Sequence, residues 1–540
     1  MNRVSRLLKM GWLLPATVAI ATSTSAGDLP SPLPPSPSIR SGIEESSARI
    51  ESGESNPLGG RLVPDQAVLP IDLAGALRMA GAQDLDIAIA RARVCAAIAE
   101  WNKARVLWLP SIFIGPNWIR HDGQAQVVEG PVRTISKSSL FLGATAAAGS
   151  SVSGPVPAGG PAQTSGLTTV LRISDALFEP QSARRVLDAR KFDVRVASND
   201  AVLLTAEAYF DLQSAAGRLA IAREASAHAE DLAGLTRSFA ASGAGLEADH
   251  QRSLAERDRR RREVESAVGE LEVSAAEVIR ITRIDPRVLI APIEPAEAMI
   301  RIVPEGGSID DLIVQGLRHR PELARGQALV EATIVRLRQA RLRPLIPSLA
   351  LRYSGGGFGG GAGGFFGAFA SRSDADVNLY WELQNLGLAD RAIARQRLAE
   401  KHVAMLELMK MQDRVAAEVV RAEKARLAAL RELEQARRAI PEALASLELN
   451  FTNIKRGTGL PGSTRPIEVL QPIQALAQAR SDYLTSVIDH NRAQFRLFHA
   501  LGHPAELAVG LSVEDPPAPA VSDSPDTAVT AASSLANSKQ

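Results

Sequence analysis

The chain has 540 residues, 61 basic and 60 acidic, for a formal net charge of +1. That balance excludes a nucleic-acid binder built on a basic face. Aromatic residues make up 4%, and long tracts are rich in Ala, Arg, Leu and Glu, which excludes a thick globular core in favour of long helices and coiled coils.

Residues 1–26 read as a signal peptide: Arg3, Arg6 and Lys9 precede the apolar run "MGWLLPATVAIA", and Thr24 to Ala26 form a small-residue cleavage site. The run is too short to span a bilayer comfortably, and no stretch of about 18 apolar residues follows, so any membrane insertion is expected by strands. Residues 27–65 read as a disordered Pro/Ser-rich linker, and residues 505–540 as a disordered tail. No cysteine follows the signal to carry a lipid anchor. The only one, Cys95, excludes an intramolecular disulfide and is expected to be a small buried apolar residue of a helix.

Between these ends the sequence repeats itself, which governs the fold. A first structural repeat spans 66–284, a linker 285–306, and a second repeat 307–504. The first opens with "IDLAGALRMAGAQDLDIAIARARV" from Ile71, the second with "IDDLIVQGLRHRPELARGQALV" from Ile309. Each predicts a short amphipathic helix and then a longer one, which ends at a proline, a serine and a strand. The seams are Pro110-Ser111 and Pro347-Ser348. Proline ends the helix by removing a backbone donor and is tolerated at a strand's first residue. Trp108 and Trp118 stand near the first seam, as indole rings do at a lipid boundary.

Strands are predicted in "SIFIGPNWIR" and "LTTVLRIS" of the first repeat, and in "SLALRYS" and "ADVNLYWEL" of the second. Leu349, Leu351 and Tyr353 alternate with polar or small residues, as do Val377, Leu379, Trp381 and Leu383. Alternation alone fits a soluble sheet or a transmembrane barrel. Strands so isolated among helices have no second sheet to bury their apolar face, which favours the barrel. The stretches from His121 to Gly166 and from Ser354 to Ser371 read as the long loops between paired strands.

The helices that follow are long: Gly387 to Arg456 would span about 105 Å at ~1.5 Å per residue, with a kink expected at Pro441. Leu408, Met411, Val415, Val419 and Ala422 form a seam for coiled-coil packing. Gly-containing turns, "SGAGL" from Ser242 and "RGTGL" from Arg456, reverse the chain between long helices.

No polar constellation suggests catalysis, and no cofactor or metal is expected. Gly355, Gly357 and Gly360 match a dinucleotide-binding spacing only formally, because no helix follows them. His499 and His503 are spaced to share a metal, but no further ligand motif accompanies them.

Taken in order, the doubled "ID" openings, the "PS" seams, the "WELQNLG" step, the Gly-rich turns and the closing "NRAQFRLFHALGHP" resemble the outer membrane efflux protein family, the TolC-like proteins. The resemblance covers roughly Ile71 to Pro504. It implies a mainly α fold with a small transmembrane β part, in which long helical hairpins form a periplasmic α-barrel. Four strands per chain would join a trimeric outer-membrane β-barrel. It implies a homotrimer in outer-membrane lipid, working with a periplasmic adaptor protein and an inner-membrane transporter in efflux or type I secretion. Ser242, Gly243, Gly245, Leu246, Gly457, Thr458, Gly459 and Leu460 would be the adaptor-contacting tips. Glu468, Gln471 and Asp249 would sit at the pore gate. The inserted "LPGST" from Leu460 departs from the family pattern beside that gate. The rival reading is a non-channel periplasmic coiled-coil adaptor or scaffold, which would carry compact soluble β-domains in place of these strands.

Overall fold

The structure is a computed structural model that describes residues 68–503, apart from 127–129, 149–150, 153–168, 244, 305, 363, 365 and 456–465. The signal peptide, the Pro/Ser-rich linker and the tail lie outside the described residues.

Short strand β1 (Val68–Ile71) leads into helices α1 (Leu73–Gln83) and α2 (Leu85–Arg105). Both helices start at an aspartate. The Asp72 carboxylate accepts from the Gly75 amide, and that of Asp84 from the Asp86 and Ile87 amides. Each cap satisfies donors that the first turn leaves without an intrahelical partner. Strands β2 (Pro110–Gln126) and β3 (Val132–Ala148) follow, then two short strands, β4 (Ser151–Val152) and β5 (Thr169–Arg172). Helices α3 (Ile173–Ala241) and α4 (Glu247–Thr282) form the first long hairpin, and β6 (Leu289–Pro292) pairs in parallel with β1.

The second half runs through elements of the same kinds and similar lengths. It comprises α5 (Ile309–His319), α6 (Pro321–Leu342), β7 (Ser348–Gly361), β8 (Ala370–Tyr380), α7 (Leu388–Lys455) and α8 (Leu470–Ala500). Its caps differ in chemistry. Ser308 Oγ accepts from the Asp311 amide to start α5, and Pro321 occupies the first turn of α6. Helix α7 runs unbroken through Pro441.

Helix α3 is the spine of the helical part. Its 69 residues reach about 104 Å at ~1.5 Å per residue. Near the sheet it lies between α2 and α6, with α7 beyond α6; toward the far end it lies between α4 and α8, with α7 beyond α8. Opposite charges lace α8 to α3: Arg480 to Glu224 at 2.7 Å, Arg496 to Glu207 at 2.8 Å, and Arg492 to Asp211. These are surface pairs, each contributing at most about 1 kcal/mol, so the ladder fixes register more than it supplies stability.

Apolar burial provides more. Phe210 of α3 meets Phe495 of α8 edge to face at 5.4 Å, and both rings are buried. At the far end, Leu232, Leu447, Val469, Ile473 and Leu476 pack as one cluster from α3, α7, α8 and the short turn before α8. The segment around β6 is tied down by side chains nearly two hundred residues away. Asn491 accepts from the Ile300 amide at 3.0 Å and donates to the Ala298 carbonyl at 2.8 Å, and Gln494 accepts from the Val303 amide.

The larger sheet has the order β2–β3–β7, with β8 on the far side of β7. All these pairings are antiparallel. Strand β5 pairs with β7 at Leu171–Leu349, in line with β3, whose Ala148 faces Leu351. Two expectations change here. Strand β3 lies inside the stretch from His121 to Gly166 that reads as loop, and β7 extends to Gly361, well into the Gly-rich stretch after Ser354. Glycine, serine and alanine have weak strand propensity, but register against a neighbouring strand overrides it. Cys95, expected to be buried, is exposed. The buried stripe of α2 is Ile87, Ala90, Ala97 and Ala104, and Cys95 lies off it.

Candidate functional site

The continuous registers sort the side chains of the sheet into two faces. One carries Ile112, Ile114 and Trp118 of β2, Leu140 and Leu142 of β3, Leu349, Leu351 and Tyr353 of β7, and Val377 and Leu379 of β8. The other carries Ser348, Arg352 and Ser354 of β7 and Arg372, Asp374 and Tyr380 of β8. A soluble sheet would bury the first face. Here Ile114 is 82% exposed and Val377 71%, with Leu140 the buried member of that face, whereas Ser354 on the polar face is 1%.

Backbone of the neighbouring strand comes closest on the polar face. Cβ atoms added at the paired Gly143 and Gly356 would come within 2.3 and 2.2 Å of the neighbouring strand's carbonyl oxygens, so only glycine permits this close approach. The sheet therefore curls with its polar face inward. Arg372 stacks on the Phe358 ring at 4.8 Å and donates to Asp374 at 2.9 Å, both on that inner face.

Tryptophans mark both ends of the apolar outer band. Trp108 is exposed beside the first seam, and Trp381, also exposed, donates to the Leu345 carbonyl beside the second. Trp118 closes the other end and donates to Ser138 Oγ at 3.0 Å. From Pro110 to Trp118 the strand rises about 27 Å at ~3.4 Å per residue. Tilted by ~40°, that covers about 20 Å, close to the ~25 Å apolar band of an outer-membrane barrel. The seam residues lie where helix passes into strand. Pro110 and Ser111 open β2 after a single 3-10 turn, and Pro347 immediately precedes Ser348, the first residue of β7.

At the opposite end, α3 reverses into α4. Ser242 caps α3 and donates through Oγ to the Phe239 carbonyl, Gly243 takes a φ of +73°, and the Gly245 amide donates back to Phe239 at 3.0 Å. The positive φ at Gly243 is the left-handed step that ends helices before a reversal. Leu246, 60% exposed, is the residue from which α4 starts. The matching residues of the other hairpin, Gly457, Thr458, Gly459 and Leu460, lie outside the described residues.

Asp249 sits in the first turn of α4, buried, with Arg252 at 3.8 Å. Glu468 is exposed in the 3-10 turn that precedes α8, and Gln471 is exposed at the start of that helix. Between them Val469 is fully buried in the apolar cluster, so the two polar residues flank an anchored point. Asp249 thus belongs to the first hairpin, Glu468 and Gln471 to the second. The hairpins are joined a turn deeper by residues that sequence patterns do not mark. Gln474 of α8 donates to Glu256 of α4 at 3.2 Å, and Glu256 also accepts from the buried Arg260 at 2.9 Å. Below Asp249, Thr236 Oγ1 meets Ser253 Oγ at 2.7 Å inside the hairpin.

His499 and His503 do not converge. His499 lies 2.8 Å from Asp200, while His503 stacks on Phe498 and contacts Gln315 at 3.1 Å. Gly355, Gly357 and Gly360 all lie within β7. Among the described residues, no helix is long and apolar enough to cross a membrane.

No family model matches the sequence, and no curated protein does. Solved structures do. A membrane protein from Pseudomonas aeruginosa is similar over 80% of this chain and 93% of its own, at 18% identity and a TM-score of 0.66. The chain shares the fold of bacterial outer-membrane channels. The CmeC outer membrane channel of Campylobacter jejuni is similar over 83% of this chain and 91% of its own, at 14% identity and a TM-score of 0.65. The open state of the MtrE outer membrane channel of Neisseria gonorrhoeae is similar over 80% and 88%, at 15% identity and a TM-score of 0.62. The likeness covers the sheet and the long helices together, so it favours a channel-type architecture over a helical hairpin carrying soluble β-domains.

Proposed function

We propose that three copies of this chain form an outer-membrane channel, a passive conduit for export in a tripartite efflux or type I secretion system. The observation that carries this reading is the sheet, whose apolar face is mostly exposed, whose polar face curls inward and whose outer strands β2 and β8 each leave one edge unpaired among the described residues. An open edge is untenable in lipid, because unpaired backbone groups there cost several kcal/mol each. Three copies joined β2 to β8 would close the barrel, with Pro110-Ser111 and Pro347-Ser348 at its inner rim.

The long hairpins then extend into the periplasm. Ser242, Gly243, Gly245 and Leu246, with Gly457, Thr458, Gly459 and Leu460, form the tips that meet a periplasmic adaptor bound to an inner-membrane transporter. Glu468, Gln471 and Asp249 lie near the closing point of the pore. Three copies of Glu468 around an axis would repel one another and attract cations. The conduit does no chemistry of its own; its partners supply the energy.

Envelope fractionation tests the reading. Recovery in the outer-membrane detergent extract, as a trimer that collapses to monomer on heating, is the expected result. Recovery in the soluble periplasmic fraction without detergent would sink it and favour a scaffold.

A further inference from the structure

The hairpin β2–β3 is longer than the strands beside it. Strand β7 ends at Gly361, opposite Ser138, while β2 continues to Gln126 and β3 begins at Val132. About six residues of each therefore project as a two-stranded ribbon at the end of the sheet remote from the helices. The register runs through without a bulge, so the faces of the ribbon continue those of the sheet.

The two faces of the ribbon differ in charge. On the outward face Arg120 and Asp122 form an ion pair, and Asp122 also accepts from Ser136 Oγ at 2.6 Å, so charge there is balanced. On the inward face, in line with Phe141 and Gly143, stand Arg133 and Lys137, with His121 directly opposite Lys137. Both cations are exposed, and no described acid shares this part of the face. Deeper in the sheet the inward charges cancel. Arg372 pairs with Asp374 at 2.9 Å, and Arg172 lies 3.5 Å from Glu382. The neighbouring hairpin adds no charge, because no Asp, Glu, Lys or Arg occurs between Arg352 and Arg372. One acid, Glu129, falls in the sequence between β2 and β3 outside the described residues, and even counting it the ribbon's inward cations are in excess.

We infer that the outer mouth of the channel is a cationic collar, built from Arg133 and Lys137 of each chain, that selects for anionic solutes leaving the pore. This rests on the channel reading above, since a collar exists only if three copies close the sheet. Charge gathered around an aqueous opening raises the local concentration of counter-ions and sets ion preference. Three copies would bring six such cations to one rim. The proposed Glu468 ring acts at the other end of the conduit, so the collar is best detected as a change between variants and not as an absolute preference.

Reversal potentials of the purified full chain in planar bilayers, under a KCl gradient at about 0.1 M or below, provide the test; screening lengths there are ~10 Å or more. The expected result is that R133Q/K137Q lowers the chloride-to-potassium permeability ratio by roughly two- to fivefold, and R133E/K137E lowers it further. The E468Q variant should raise the same ratio. Conducting channels whose ratio is unchanged in both double variants would overturn the collar while leaving the channel reading intact. A chain that forms no pore in any variant would overturn both.

Discussion

Arg320 holds the last turn of α8 by donating to the His499 carbonyl at 3.0 Å, while its Nη1 also lies 3.1 Å from His499 Nδ1. The same guanidinium binds Glu418 of α7 and lies 3.3 Å from Glu322 at the start of α6. One buried cation thus joins the end of α8 and the start of α6 to the middle of α7. The geometry also fixes the imidazole: Nδ1 accepts from Arg320, which leaves the Nε2 hydrogen for Asp200.

Replacing Arg320 with alanine leaves Glu418 and Glu322 without their shared partner in a largely desolvated site. The expected cost is about 2–4 kcal/mol, seen as a lower midpoint in denaturant, and R320K should recover part of it. A loss below about 0.5 kcal/mol would mean that water replaces the guanidinium freely.

Asn491 gives a cleaner case, because it is fully buried and satisfies one backbone donor and one backbone acceptor of the segment around β6. N491A should destabilise by about 2–4 kcal/mol. Hydrogen exchange should show the amides from Ala298 to Val303 losing protection first. Uniform loss across α8 would point to a packing defect instead.

His503 titrates in a useful range. Burial, and then the nearby His319, hold its imidazole below the usual histidine value. The unfolded chain therefore takes up this proton before the folded chain does, so stability falls as pH drops from about 7 through 6.5 and below. H503N should flatten that slope without abolishing the contact to Gln315. A slope equal to that of the parent protein would assign the effect to another group.

Glu179 of α3 behaves in the opposite sense. Burial, and then the Asp175 charge, push its carboxyl above the ordinary glutamate value. A raised acid contributes stability at low pH that is lost as pH rises through the folded value. E179Q should thus raise the melting temperature at pH 7, with the gain shrinking below about pH 4.5. Lys103 offsets part of the effect, so the gain is modest.

The helices and seams were legible because their signals are local. Asp84 caps the helix it precedes, and prolines mark both places where helix gives way to strand. The apolar alternation of Leu349, Leu351 and Tyr353 could likewise be read directly. Strand β3 could not, since its Gly, Ser and Ala residues become strand through pairing with β2 and β7. Nothing in the sequence near Leu289–Pro292 names its partner strand β1, nor do Ala298 to Val303 announce their bonds to the far side chains Asn491 and Gln494. Cys95 misleads for a related reason: helical periodicity identifies a buried stripe only once the packing direction is known. At the tips, glycines announce a reversal, but the Glu256–Gln474 bridge between hairpins depends on tertiary placement alone.

Ala148 lies opposite Leu351 and Leu171 opposite Leu349, so residues more than twenty apart in the chain occupy consecutive same-face positions along one line of the sheet. The wall is therefore templated by β7 and not by the continuity of the strand beside it. Chain can be added or lost between Ala148 and Thr169 while every outward-facing and inward-facing side chain of β3, β5 and β7 keeps its place. This point on the sheet is where the protein can change length in evolution, or carry an inserted tag, at least expense to the strand pairing.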